Sequence, residues 1–134
     1  MHSAELTIHT GEREAIVDLT GDAADFVGEL GDGLLTVFVP HATAGLAILE
    51  LGSGSDSDLL EVLAQLLPVG ARYRHAHGSP GHGRSHVMPA FLAPSVVVPV
   101  LGGRLTLGTW QSLALVDLNV DNPSRTVRLS FLEG

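Results

Sequence analysis

Four of the chain's seven histidines, His75, His77, His82 and His86, sit in one stretch, Tyr73–His86, which reads Tyr-Arg-His-Ala-His-Gly-Ser-Pro-Gly-His-Gly-Arg-Ser-His. Imidazole titrates near neutrality and, as a neutral base, ligates transition metals, so the cluster points to proton transfer or metal binding. The plainer reading is a polar, Gly-rich surface loop that carries histidines without using them, since composition alone is a weak sign of a metal. His41 comes from a separate segment. No helical or strand period relates His41, His75 and His86, so a shared pocket requires the fold to converge them.

The rest of the composition bounds what such a site can be. With 134 residues the chain suits a single domain spanning 1–134, large enough to bury about two thirds of the surface its unfolded form exposes. There is no cysteine, which removes disulfides and thiolate ligands and leaves His, Asp and Glu to hold any metal. No apolar run approaches the roughly 20 residues that span a bilayer, and the N-terminus lacks a basic flank with a long apolar core. The expectation is a cytoplasmic protein without a membrane partner. A formal net charge of -8 argues against nucleic acid, which needs clustered Lys and Arg. Arg74, Arg84, Arg125 and Arg128 lie near the candidate site, where a guanidinium can grip a small phosphorylated metabolite.

The elements that must position these residues are legible in outline. Residues 4 to 9 and 13 to 18 flank Thr10-Gly11-Glu12 with short apolar alternations and read as an N-terminal hairpin. Ala23, Ala24, Phe26, Val27 and Leu30 make one helix face behind Thr20-Gly21-Asp22. Leu34 to Val39 reads as a strand buried on both faces, and Leu46 to Leu51 as another after the bend at His41. Leu59, Leu60, Val62, Leu63, Leu66 and Leu67 form the widest apolar helix face, stopped by Pro68; Asp56 and Asp58 suit its N-terminus electrostatically. Val87 to Ala93 fits a turn or two of helix with Pro89 in the first turn. Val96–Val100 and Arg104–Gly108 form a hairpin about Gly102-Gly103, and Trp110–Leu118 and Thr126–Phe131 are further strands. Strands do not strictly alternate with helices, so the fold class is α+β: a mostly antiparallel β-sandwich with two or three helices.

The order of motifs carries more than any one of them. His41-Ala-Thr-Ala-Gly45, Glu50, Tyr73-x-His75, Ser85-His86, Gly102-Gly-Arg-Leu and Gly108-Thr-Trp-Gln111 follow one another as in the YjbQ-like family, called secondary thiamine-phosphate synthases, which the chain resembles from about Val37 to Arg128. The resemblance implies a compact α+β fold, a homotrimer, and for some members formation of thiamine phosphate from hydroxymethylpyrimidine pyrophosphate and thiazole phosphate. It matches His41 to the His of the family's His-Thr-x-Ala motif, Glu50 to the Glu of Asn-Glu, Tyr73 and His75 to Tyr-x-His, and His86 to Ser/Ala-His. Leu49 stands in place of the usual Asn, Ser53 in place of an Asp, and His82 where Asn or Asp precedes the last His by four.

On that resemblance His41, His75 and His86 converge as a metal site for zinc or another divalent ion, which would neutralise a pyrophosphate or polarise water. His75, His86 and Glu50 are the catalytic candidates, with Glu50 or His82 completing the shell or carrying a proton. Tyr73, Gln111 and Arg125 are candidate substrate contacts, although an exposed strand face would account for Arg125 and Arg128 together. Trp110 reads as core or subunit interface, and His77 as a solvated loop residue. The function this implies is a thiamine-phosphate synthase-type enzyme; the alternative is a non-catalytic metal- or metabolite-binding homotrimer.

Overall fold

A computed structural model describes residues 1–134. Eight strands are divided between two antiparallel sheets. The larger, in order β1-β8-β3-β5-β6, contains β1 (His2–His9), β8 (Ser124–Glu133), β3 (Gly33–Phe38), β5 (Ser95–Leu101) and β6 (Arg104–Leu105). The smaller, in order β2-β7-β4, contains β2 (Ala15–Asp18), β7 (Ser112–Asp117) and β4 (Ala44–Leu49). Three α-helices, α1 (Thr20–Val27), α2 (Ser55–Leu66) and α3 (His82–Val87), and a 3-10 turn at Met88–Ala90 complete the α+β domain. No helix is long and apolar enough to cross a membrane.

The alternation of side chains along each strand decides the layering. Leu35 and Val37 of β3, Val100 of β5 and Val127, Leu129 and Phe131 of β8 meet Ala44, Leu46, Leu113 and Leu115 of the smaller sheet in one buried cluster, which Leu19, Ala23 and Val27 of the α1 segment complete. The next β7 residue, Val116, turns the other way, to Leu63 of α2, Leu67 just beyond that helix, Met88 and Leu118. The smaller sheet is therefore covered on both faces, and β7 is buried from Leu113 to Asp117.

Two expectations are corrected here. The N-terminal hairpin does not form: β1 pairs with β8 and β2 with β7. Its turn is tied elsewhere, because the Thr10 and Gly11 amides both donate to the Pro123 carbonyl, at 2.8 and 3.3 Å, and carry the chain from one sheet to the other. Nor is β3 buried on both faces: Leu34 is 46% exposed and Phe38 42%. They share the outer face of the larger sheet with Leu132, opposite Leu34 on β8, and with Val97 and Leu101 of β5. By contrast the β5–β6 hairpin forms as read, turning through Gly102 and Gly103, whose φ of 55° and 71° match the left-handed pair that a two-residue hairpin requires.

One polar interaction is sealed inside this architecture. Arg125 donates from Nε to Asp117 Oδ2 (2.6 Å) and from Nη2 to Asp117 Oδ1 (2.9 Å) and Thr43 Oγ1 (2.8 Å). Asp117 also accepts from Thr10 Oγ1 (3.1 Å) and from the Asn119 amide (2.9 Å). The pair thus joins β8 to β7 and holds the segments entering β4 and leaving β1. Removing one member of such a buried pair strands the other charge without a partner. Asp117→Ala is expected to cost about 3–5 kcal/mol in urea denaturation, and an unchanged midpoint would refute this role.

Candidate metal centre

The histidine stretch is only partly a loop. Its second half is α3, which puts His82 and His86 one turn apart on one side of the helix. Its first half, residues 73 to 81, folds back across the helix start, and a glycine makes that approach possible. A Cβ on Gly83 would lie 2.6 Å from the His75 carbonyl oxygen and 2.7 Å from Tyr73 Cβ. Any larger residue would push the Tyr73–His75 segment away from α3.

The result is a cluster of four imidazoles. The His75 ring lies 4.0 Å from His86, 4.2 Å from His77 and 5.2 Å from His82, centroid to centroid, and His82 lies 4.7 Å from His86. One ligating nitrogen from each of His75, His82 and His86 falls within 4.8 Å of the others, and the Nε2 atoms of His82 and His86 are 3.0 Å apart. Zinc with bonds of about 2.0–2.1 Å separates tetrahedral ligands by about 3.3 Å, so the spacing fits such an ion. His75 and His86 are held below the ordinary histidine value, first by burial and then by the neighbouring imidazoles. Their lone pairs are available at neutral pH.

Asp121, between β7 and β8, supports the cluster from outside. Its Oδ2 is 3.0 Å from His82 Nδ1 and accepts from the Ser79 amide at 3.2 Å, while its Oδ1 accepts from the Ser79 hydroxyl. Those Ser79 bonds, chiefly the hydroxyl, hold the Asp121 carboxyl below its usual range, with His82 adding to them. Asn119 Oδ1 is 3.3 Å from the same His82 nitrogen, and Asn119 Nδ2 donates to Thr43 Oγ1 at 3.4 Å. A cavity of about 500 Å³ opens beside His75, with Arg72, Tyr73, His77 and Ser79 on its wall.

The remaining candidates lie apart from this group. His41 is not among the clustered ligands: its Nε2 accepts the Thr126 amide at 2.9 Å. Glu50 follows the far end of β4, whose other end, Ala44, pairs with Asp117; at about 3.3 Å per residue, six residues carry Glu50 roughly 20 Å from Ala44. Arg125 is committed to Asp117, and it cannot share an exposed face with Arg128, because positions three apart on a strand point to opposite sides. Arg128 is the exposed one, paired with Glu5. Gln111 Oε1 accepts the Gly108 amide at 2.8 Å and does not line the cavity. Tyr73 does line it, with its hydroxyl donated to the Pro68 carbonyl at 2.9 Å. Trp110 is 73% exposed and so is not core.

Comparison with known proteins places the chain in a family. The family described as UPF0047 protein YjbQ-like matches residues 4–134. The chain belongs to this family. A UPF0047 protein of Mycobacterium tuberculosis strain H37Rv is 60% identical over 134 residues, covering 100% of both chains. One from Archaeoglobus fulgidus is 37% identical over 123 residues, covering 92% of this chain and 96% of that one. Among solved structures, a hypothetical protein of Aeropyrum pernix K1 has a TM-score of 0.88 at 34% identity, with 100% of each chain covered. A YbjQ-like protein of unknown function from Sulfolobus solfataricus P2 has a TM-score of 0.92 at 24% identity, covering 99% of this chain and 97% of that chain, and supports the fold. The family description carries no activity.

His41 makes acid stability a test of this placement. Burial, then the Arg125 charge, lowers its pKa from the ordinary 6.5, with Asp117 opposing. The native state therefore takes up the proton less readily than the unfolded chain, so the stability is present above about pH 6.5 and is lost as pH falls through it. Protonation would also set an N–H against the Thr126 amide. His41→Gln keeps an acceptor without the titration. From about pH 7.5 to about pH 5.5 its urea midpoint should fall less than that of the native chain; equal falls would contradict this assignment.

Proposed function

We propose that this YjbQ-like chain is a metal-assisted enzyme acting on small phosphorylated or pyrophosphorylated metabolites, with a divalent ion such as zinc held by His75, His82 and His86. The observation that carries the proposal is the convergence of those three ring nitrogens within 4.8 Å beside the cavity. His82 replaces His41 in the ligand set expected from the sequence. A bound divalent ion would supply Lewis acidity and counter-charge for a phosphate or pyrophosphate group. Arg72 on the cavity wall offers a guanidinium to the same anion, and the imidazoles of His75 and His77 line the same cavity, where a proton would move.

The most concrete version is the thiamine-phosphate synthase reaction, in which a carbon–nitrogen bond forms between the pyrimidine's methylene carbon and the thiazole nitrogen as pyrophosphate departs. A cytoplasmic homotrimer is part of the proposal. The exposed apolar residues on the outer face of the larger sheet, Leu34, Phe38, Val97 and Leu132, support self-association. The absence of cysteine suits a reducing compartment.

A second reading is a metal- or metabolite-binding homotrimer without turnover. It is favoured by the distance of Glu50 and the internal commitment of Arg125, which leave the cluster without two of the groups expected to serve it. The two are separated by metal analysis of protein purified without chelators, combined with an assay of the pyrimidine pyrophosphate and thiazole phosphate pair. The enzyme reading predicts about one ion per chain, loss of that ion in His82→Ala, and turnover that is abolished by chelation and restored by zinc. Metal without turnover on this pair favours the second reading over the thiamine version. No metal after add-back contradicts both metal readings.

A further inference from the structure

His82 presents its two ring nitrogens to different partners. Nε2 faces His86 Nε2 at 3.0 Å, on the side where the ligating nitrogens converge. Nδ1 faces two oxygens, Asp121 Oδ2 at 3.0 Å and Asn119 Oδ1 at 3.3 Å. The Asn119 amide oxygen is fixed in that orientation because it also accepts the Asp121 amide, at 3.3 Å, while its Nδ2 donates to Thr43. Two acceptors at one nitrogen require a proton there.

We propose that Asp121 is a positioning residue for the cluster: it holds the proton of His82 on Nδ1, so that Nε2 carries the free lone pair toward His75 and His86. A carboxylate behind a ligating imidazole fixes both its tautomer and its ring orientation. The same carboxylate takes the amide and hydroxyl of Ser79, on the segment that carries His75 and His77, and so sets the position of that segment against α3. Asp121 links the two ligand-bearing elements, the 73–81 segment and α3, without itself being in the ligand set. The consequence for metal binding rests on the function proposed above; the tautomer does not.

Long-range nitrogen–proton NMR of the His82 ring in metal-free protein, at neutral pH, reads the tautomer directly. The native chain and Asp121→Asn, which keeps an acceptor, should show Nδ1–H. In Asp121→Ala, where Asn119 remains as the longer acceptor, the ring should become a mixture of tautomers. Zinc affinity, measured by competition with a chelating dye, should fall about 10- to 100-fold in Asp121→Ala and less in Asp121→Asn. An Nε2–H ring in the native chain, or an Asp121→Ala variant unchanged in tautomer, overturns the proposal even where zinc binds. If the native chain binds no zinc, the metal reading fails, and the tautomer pattern alone decides the role of Asp121.

Discussion

The buried pair of Arg125 and Asp117 is the constraint on which the rest of this molecule depends. Both side chains are almost wholly inaccessible, at 2% and 0% exposure. Burial of two charges is stabilising only where geometry and additional hydrogen bonds offset their lost hydration. Here the guanidinium meets the carboxylate through two N–H groups, and Thr10, Thr43 and the Asn119 amide satisfy remaining sites. That arrangement can form only when β7 and β8, which lie in different sheets, are correctly placed with the segments leaving β1 and entering β4. It also fixes the start of the connection Asn119–Pro123, and through Asn119 and Asp121 that order passes to His82. The core and the histidine cluster are therefore parts of one hydrogen-bonded framework.

The cluster itself is electrostatically one-sided. Four imidazole rings this close cannot all be protonated without mutual repulsion, and His75 and His86 are displaced toward the neutral form, first by burial and then by that repulsion. A single divalent ion shared by several lone pairs resolves the same crowding that protons would worsen. The acidic balance of the chain as a whole, -8, sets the cluster in a surface that attracts cations. Arg72 at the cavity wall gives a local exception where an anion can enter.

Much of the fold was legible in the sequence because apolar period and turn chemistry agree there: α1, α2, the β5–β6 hairpin and the late strands fall close to where the pattern puts them. The failures are non-local. Nothing between residues 4 and 18 shows that Pro123 captures Thr10 and Gly11, so two neighbouring strands look like a hairpin when each pairs with the C-terminal third of the chain. The UPF0047 motif order was equally legible and singled out the segment that carries the histidine cluster. Which imidazoles meet in it was not. His82 and His86 carry a usable signal, the four-residue spacing of one helix face, but Gly81 and Gly83 around it disguise the helix. Asp121 carries no comparable signal, since its contacts with His82 and Ser79 arise only when separate segments meet. His41 and Glu50 sit in matched motifs, yet the fold puts them at opposite ends of β4, and Arg125, on β8, is turned inward to Asp117.

The claim that ties the framework to a function is that His75, His82 and His86 bind one ion together. Crystallographic anomalous scattering above and below the zinc absorption edge, on protein grown with zinc, tests it most directly. The account predicts one strong peak per chain, bonded at about 2.0–2.1 Å by one nitrogen from each of the three rings. A peak at His41 or Glu50 instead, or none among the three rings at full zinc occupancy of the solution, would contradict it.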